Sequence, residues 1–156
     1  MKKIILACLL SMSVWAADSN VYTVTFNSPI DTVEKNMLAQ FKASKLMVVW
    51  QLDILGEFKK KGLDKKFGKK FNTNDLGNVR TMVACNGKLG NAVMNADSTM
   101  MAYCPVRLTL TEKDGKTSVL FVRPSSAPKD SKAYPVLVKL EKKVIGAIVA
   151  SMEFEN

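Results

Sequence analysis

The dipeptide Asp114-Gly115 constrains the fold of this chain more than any other short segment. It lies between residues 101–111 and residues 117–122, two stretches with alternating apolar side chains. Asp-Gly favours the two-residue turns that join antiparallel strands, because aspartate and glycine both tolerate a positive φ. We therefore predict two strands joined as a tight hairpin, in a sheet that contains at least one antiparallel pair.

Before the hairpin, strand patterns alternate with helical patterns along the chain. The predicted elements are strands over residues 21–26, 46–52 and 79–84, helices from about residue 28, from residue 54 and over residues 86–96, and a closing helix over residues 135–152. In the first helix Ser28 is placed to cap and Pro29 to take the first helical position. The order β-α-β-α-β-α-β-β-α predicts an α+β fold, in which a single two-layer domain has a twisted, mostly antiparallel sheet with helices packed on one face.

Residues 1–16 have the pattern of a secretory signal peptide. Two lysines precede an apolar run over residues 4–14, and Val14 and Ala16 occupy the −3 and −1 positions of a cleavage site. The apolar run is about ten residues long, whereas a helix that spans a bilayer needs about twenty. The segment therefore predicts export rather than a membrane anchor.

Cys8 supports an alternative, in which the chain is cleaved and lipid-modified at that residue. Cleavage there would leave an apolar stretch of only about three or four residues, shorter than a signal peptide requires. We therefore favour cleavage after Ala16. This leaves residues 17–156 as a single domain in the periplasm or outside the cell.

The composition limits the chemistry that this chain can perform. None of its 156 residues is a histidine, and three are cysteines. Without histidine there is no Ser-His-Asp or Cys-His catalysis, and the commonest zinc and iron ligand is missing. Asp53 and Glu57 share one face of a predicted helix, and we interpret them as surface charges rather than an acid–base pair. We predict no catalytic residue, no metal site and no cofactor, which favours a protein without enzyme activity.

Cys85 and Cys104 both remain in the mature chain and form the first candidate site. Cys85 lies where a predicted strand meets the start of a helix, and both a helix N-terminus and a nearby lysine lower the pKa of a thiol. We expect the two cysteines to be neighbours and, in an oxidising compartment, to form a disulfide. The alternatives are a redox-active or ligand-binding thiol pair, and two unpaired, partly buried cysteines. The absence of Cys-x-x-Cys disfavours a thioredoxin-type enzyme.

Several residues near the two cysteines in sequence extend this candidate site. They are Asn86, Lys88 and the methionines Met82, Met94, Met100 and Met101. Thiolate and thioether ligands together suit Cu(I). Methionine more commonly fills irregular gaps in a hydrophobic core, which is the interpretation we prefer. A copper site is the alternative.

Residues 58–71 form the second candidate site, which we call the lysine-rich segment. Its seven lysines are Lys59, Lys60, Lys61, Lys65, Lys66, Lys69 and Lys70. On a helix, Phe58, Phe67 and Phe71 would dock inward while the lysines faced outward. Such a face attracts anionic lipid, acidic glycan or an acidic protein, and export argues against nucleic acid as a partner. The simpler interpretation is a solvated surface that keeps the protein soluble.

The chain has an N-terminal strand followed by a long helix, a third strand that ends in Ala84-Cys85-Asn86, and Cys104 shortly before the strand over residues 106–111. In these three features it resembles the domain of unknown function 302 family. The run Lys59-Lys60-Lys61-Gly62 also matches the lysine-rich helix end of that family. The chain departs from the family at Gly87, where proline is usual, and at Pro105, which follows Cys104 rather than preceding it. The resemblance covers about residues 21–150 and implies a compact two-layer α+β fold with no established activity.

Two functions from different classes remain open. The first is an exported, non-enzymatic ligand-binding or accessory module, whose apolar interior or open sheet face holds a small ligand or another protein. A homodimer formed through an exposed sheet face belongs to this first hypothesis. The second is a redox-active or soft-metal protein that uses Cys85 and Cys104.

Overall fold

The computed structural model describes residues 20–154 and contains one five-stranded sheet. The strands are β1 (Val21–Phe26), β2 (Met47–Asp53), β3 (Asn78–Cys85), β4 (Val106–Lys113) and β5 (Lys116–Val122). Their order across the sheet is β1-β5-β4-β3-β2, and every neighbouring pair is antiparallel. The predicted α+β fold with an antiparallel sheet is confirmed. The predicted signal peptide, including Cys8, lies outside the described residues.

Five α-helices connect or follow the strands in the described part of the chain. They are α1 (Ile30–Ala43), α2 (Ile54–Lys60), α3 (Leu63–Phe67), α4 (Gly87–Ala96) and α5 (Tyr134–Met152). Helices α1 and α5 pack against each other, and α1 also contacts β4 and β5. Within residues 20–154 no helix combines the length and apolar character that crossing a membrane requires.

The core lies between the sheet and the pair α1 and α5. On β4, Leu108 and Leu110 are fully buried, whereas the alternate residue Arg107 is exposed on the opposite face, as a strand with one covered face requires. Helix α1 buries Ile30, Val33, Met37 and Phe41, and α5 buries Leu137, Leu140, Val144 and Ile148. These are the apolar stripes that the helical spacing predicts.

The hairpin at Asp114-Gly115 forms as predicted. Lys113 pairs with Lys116, which leaves two residues in the turn. Asp114 has φ 51° and Gly115 has φ 72°. Two consecutive positive φ values are the requirement of the tight turn that matches the twist of antiparallel strands.

The prediction of a strand from residue 101 is wrong at its beginning. Residues Ser98–Tyr103 form a 3-10 helix, and β4 starts only at Val106. The Asp97 carboxylate begins this turn by accepting hydrogen bonds from the backbone N–H and the hydroxyl of Thr99, at 3.1 and 2.6 Å. Pro105 has no N–H to donate to a neighbouring strand, so the ladder cannot extend through it.

The predicted cap of α1 is also wrong. Pro29 is the extended residue before the helix rather than its first helical residue. No side chain at the N-cap position accepts a hydrogen bond from the first turn of α1. The backbone N–H of Ile30 donates instead to the Glu112 carboxylate on β4, at 3.3 Å. Ser28 is held elsewhere, because its carbonyl accepts the Thr117 hydroxyl at 2.8 Å. A tertiary contact thus replaces the local cap.

Candidate functional site

Cys85 and Cys104 lie together at one end of two neighbouring strands. Cys85 is the last residue of β3, and Cys104 comes two residues before β4, whose Val106 pairs with Ala84. Cys104 is fully buried, Cys85 is partly exposed, and both are free thiols. Both sulfur atoms lie against the backbone of Gly90, so the two thiols are close neighbours. The disulfide between them stays a prediction.

Helix α4 covers this pair of thiols. The Asn86 side chain caps the helix by accepting the Leu89 N–H at 3.0 Å, and its amide donates to the Lys45 carbonyl at 2.8 Å. One turn later the backbone of Gly90 passes so close that a Cβ there would lie 3.2 Å from Cys85 Sγ and 3.6 Å from Cys104 Sγ. Glycine therefore brings the helix backbone close to both sulfur atoms.

Burial controls the acidity of Cys104. The loss of hydration, together with a smaller effect of the neighbouring Cys85, raises the pKa of the Cys104 thiol to about 12. The thiolate is the form that attacks disulfides and binds metals. At neutral pH Cys104 is therefore a protonated thiol, whatever its proximity to a helix N-terminus.

The remaining predicted members of this site are spread over several environments. Asn86 is buried and caps α4, whereas Lys88 is exposed on that helix. Met82 is fully buried in the core, Met100 and Met101 are partly buried against it, and Met94 is exposed. Within residues 20–154 no group of three histidine, cysteine, aspartate or glutamate side chains is arranged to hold a metal ion.

One methionine near the thiols was missed by the sequence interpretation. Met47 on β2 is the cross-strand partner of Cys85, and its side chain is 54% exposed. Met47 and Cys85 are 38 positions apart, and only the register of β2 on β3 brings them together. No local sequence signal could have identified the pair.

A groove of about 350 Å³ lies on the sheet face opposite the core. Thr109, which pairs with Leu120, and Val122 face this side because they alternate with core residues of β4 and β5. Tyr103 and Pro105, from the segment before β4, also line it. Arg107 adds a guanidinium that has no ion-pair partner among the described residues. The groove combines apolar side chains with one free cation.

The lysine-rich segment is not the single helix that an inward-facing arrangement of its phenylalanines would require. Helix α2 ends at Lys60, Gly62 has φ 69° and starts α3, and Gly68 has φ 49° after α3. Positive φ at these two glycines breaks the helix, as α-helices require negative φ. The expectation that the phenylalanines dock inward is wrong for Phe58 and Phe67, which are 44% and 50% exposed.

Comparisons with known proteins agree with this architecture. The crystal structure of an uncharacterized conserved DUF302 protein from Bacillus stearothermophilus is similar, with a TM-score of 0.71 and 18% sequence identity, over 83% of this chain and 96% of that chain. At that identity the likeness concerns the fold alone. No curated protein matches the chain. The family model described as "Domain of unknown function DUF302" matches residues 22–151, and the chain therefore belongs to the DUF302 family.

Proposed function

We propose that this protein is an exported, non-enzymatic binding module whose groove holds a small amphipathic anion. The observation that carries the proposal is the groove itself, where the free guanidinium of Arg107 lies with the half-buried Leu120 and the exposed Val122. Apolar side chains with a few convergent polar groups are the usual composition of small-ligand sites. The signal-peptide pattern of residues 1–16 supports export.

The chemistry of the groove selects the ligand class. An arginine fork matches the geometry of a carboxylate or sulfonate, and a ligand with an alkyl or aromatic tail would cover the apolar side chains beside it. The groove is open rather than enclosed, and the chain has no histidine to deprotonate the hydroxyls of Tyr103 and Thr109 that line it. Reversible binding fits these features better than turnover.

Titration calorimetry with decanoate and its uncharged counterpart decanol tests this proposal. We expect the native protein to prefer decanoate, and Arg107→Gln to remove that preference by weakening decanoate at least about tenfold, as the loss of a charge-assisted contact of roughly 1.4 kcal/mol requires. Leu120→Ser should weaken both probes. Lys116→Gln, which removes the same charge from an exposed position outside the groove, is the matched control.

Unchanged decanoate affinity in both Arg107→Gln and Leu120→Ser would refute the groove as the binding site. Loss of affinity in Lys116→Gln to the same extent would assign the effect to overall charge. Because Arg107 and Leu120 point away from the core, both variants should keep the native circular dichroism spectrum.

The proximity of Cys85 and Cys104 favours a second candidate, a thiol-based redox or soft-metal function. Such a function requires the buried Cys104 to lose its proton, so metal affinity should rise with pH. Counting free thiols in the purified protein and then measuring retention of Cu(I) after reduction tests it. Stoichiometric retention that Cys85→Ser abolishes would support the second candidate, and no retention by the reduced protein would remove it.

A further inference from the structure

We propose that the lysine-rich segment docks the protein on an anionic lipid bilayer through its lysines together with the exposed rings of Phe58 and Phe67. The segment is one continuous stretch of chain, and all seven of its lysines are exposed. The proposal concerns a different surface from the groove, and it holds or fails independently of the binding function.

The charge on this surface is high and nearly unopposed. Residues 57–70 contain seven lysines and two acidic residues, which gives a net charge of +5. Glu57 is paired with Lys60 at 2.6 Å, and Asp64 is partly buried. Six lysines of the segment therefore have no ion-pair partner among residues 20–154 and are free to meet anionic headgroups.

The two phenylalanines distinguish a bilayer from other polyanions. Phe58 lies on α2 and Phe67 ends α3, and the two side chains are 44% and 50% exposed. The Lys66 ammonium lies 5.7 Å from the centre of the Phe67 ring, so cation and ring occupy one exposed site. An acidic glycan offers charge but no apolar phase, whereas a bilayer interface accepts aromatic rings beside basic side chains. The exposed rings therefore favour lipid over glycan or acidic protein.

The backbone of the lysine-rich segment allows its lysines and the two phenylalanines to be exposed together. Because Gly62 and Gly68 interrupt the helix, the segment consists of the end of α2, the short helix α3 and a 3-10 turn over Gly68–Lys70. It is not one amphipathic rod with its rings turned inward. Lys59 directly follows Phe58 in the chain, and Lys66 directly precedes Phe67. Charge and apolar surface are presented together.

Co-sedimentation with vesicles tests the proposal. We expect the protein to bind vesicles that contain phosphatidylcholine and phosphatidylglycerol, and not vesicles of phosphatidylcholine alone. Binding should be lost near 0.5 M salt, where the screening length falls to roughly 4 Å. One lysine near an anionic surface strengthens binding about fivefold. Replacing Lys65, Lys66, Lys69 and Lys70 by glutamine should therefore weaken binding about thirtyfold if two of the four contact the bilayer, and about six hundredfold if all four do.

Two further variants make the result specific. Lys42, Lys129, Lys139 and Lys142 are exposed elsewhere, and replacing these four by glutamine gives the same net charge with the segment intact. This control should bind vesicles far better than the first variant. Phe58→Ser with Phe67→Ser should weaken vesicle binding by about tenfold or more, because the apolar contact is lost, and should leave retention on heparin unchanged.

Equal vesicle binding by both lysine variants would overturn the proposal, because the position of the charge would then be irrelevant. Native binding by the double phenylalanine variant would assign the segment to general polyanion attraction, with an acidic glycan as the better partner. A protein that binds heparin but no anionic vesicle would have the same consequence. Thermal melting of each variant verifies that these exposed substitutions leave the fold intact.

Discussion

Alkaline pH should destabilise the reduced protein through the buried thiol of Cys104. Burial raises the pKa of this thiol to about 12 in the folded protein, whereas the ordinary value, which applies when the chain unfolds, is 9.0. Above pH 9 the unfolded chain releases this proton while the folded protein retains it. The stabilising contribution is therefore complete below pH 9 and is lost as the pH rises toward 12.

The size of the effect follows from those two values. At pH 7 the Cys104 thiol is protonated in both the folded and the unfolded protein, so its titration does not change the free energy of unfolding. At pH 10 about nine tenths of the unfolded chains have lost it, which lowers the free energy of unfolding by about 1.4 kcal/mol. Cys104 is fully buried, so solvent does not screen this effect.

Urea unfolding of the native protein and of Cys104→Ala, at pH 7 and pH 10 in a phosphine reductant, measures it. The alanine variant cannot titrate at this position, and the lysines titrate alike in both proteins. The difference in stability between the two proteins should therefore shift by about 1.4 kcal/mol against the native protein on going to pH 10. Equal pH dependence in both proteins would refute the claim that burial sets the acidity of Cys104.

Three other measurements test separate parts of the account. Oxidised protein with a Cys85–Cys104 disulfide should melt several degrees above the reduced form, because a closed loop of about twenty residues is worth roughly 3 kcal/mol in the chain-entropy description; equal melting temperatures would contradict this. Arg80→Ala should lower the free energy of unfolding by about 2 kcal/mol in urea titrations, since it leaves the partly buried Glu34 without its cation. Asp31→Asn, at the exposed end of the same cluster, should cost less than about 1 kcal/mol, and an equal cost would contradict the role of burial. Mass analysis of protein from the periplasmic fraction should find Ala17 at the N-terminus, and an intact Met1 in the cytoplasm would contradict export.

Local chemistry accounts for the elements that the sequence predicts well. The apolar residues of α1 recur at helical spacing, and Asp114-Gly115 supplies the two residues that a tight hairpin turn needs. Both signals arise from residues that are close together in the chain, so they can be recognised without knowledge of the tertiary structure. The order of strands and helices and the antiparallel α+β fold follow from such signals.

The sequence predictions were wrong for the cap of α1 and for the phenylalanines of the lysine-rich segment. Glu112 on β4 accepts the N–H of Ile30, although Ser28 was close enough in sequence to cap α1. Phe58 and Phe67 fit an inward-facing stripe by spacing alone, but Gly62 and Gly68 break the helix that would have carried it. Local propensity allows a segment more than one conformation, and contacts with the rest of the fold determine which of these conformations forms.

The candidate sites, like the fold, could be predicted from the sequence only in part. Residue type and compartment identified Cys85, Cys104 and the lysine-rich segment from the sequence, because thiols and clustered charge are properties of the residues themselves. Strand register decided that Met47 lies across from Cys85 and that Arg107 and Leu120 share a groove on the outer sheet face. Register depends on pairing between segments far apart in the chain, and the displacement of a strand by one residue would turn each of its side chains to the other face. For that reason the sequence determined which groups this protein possesses, and only the tertiary structure decided which of them meet.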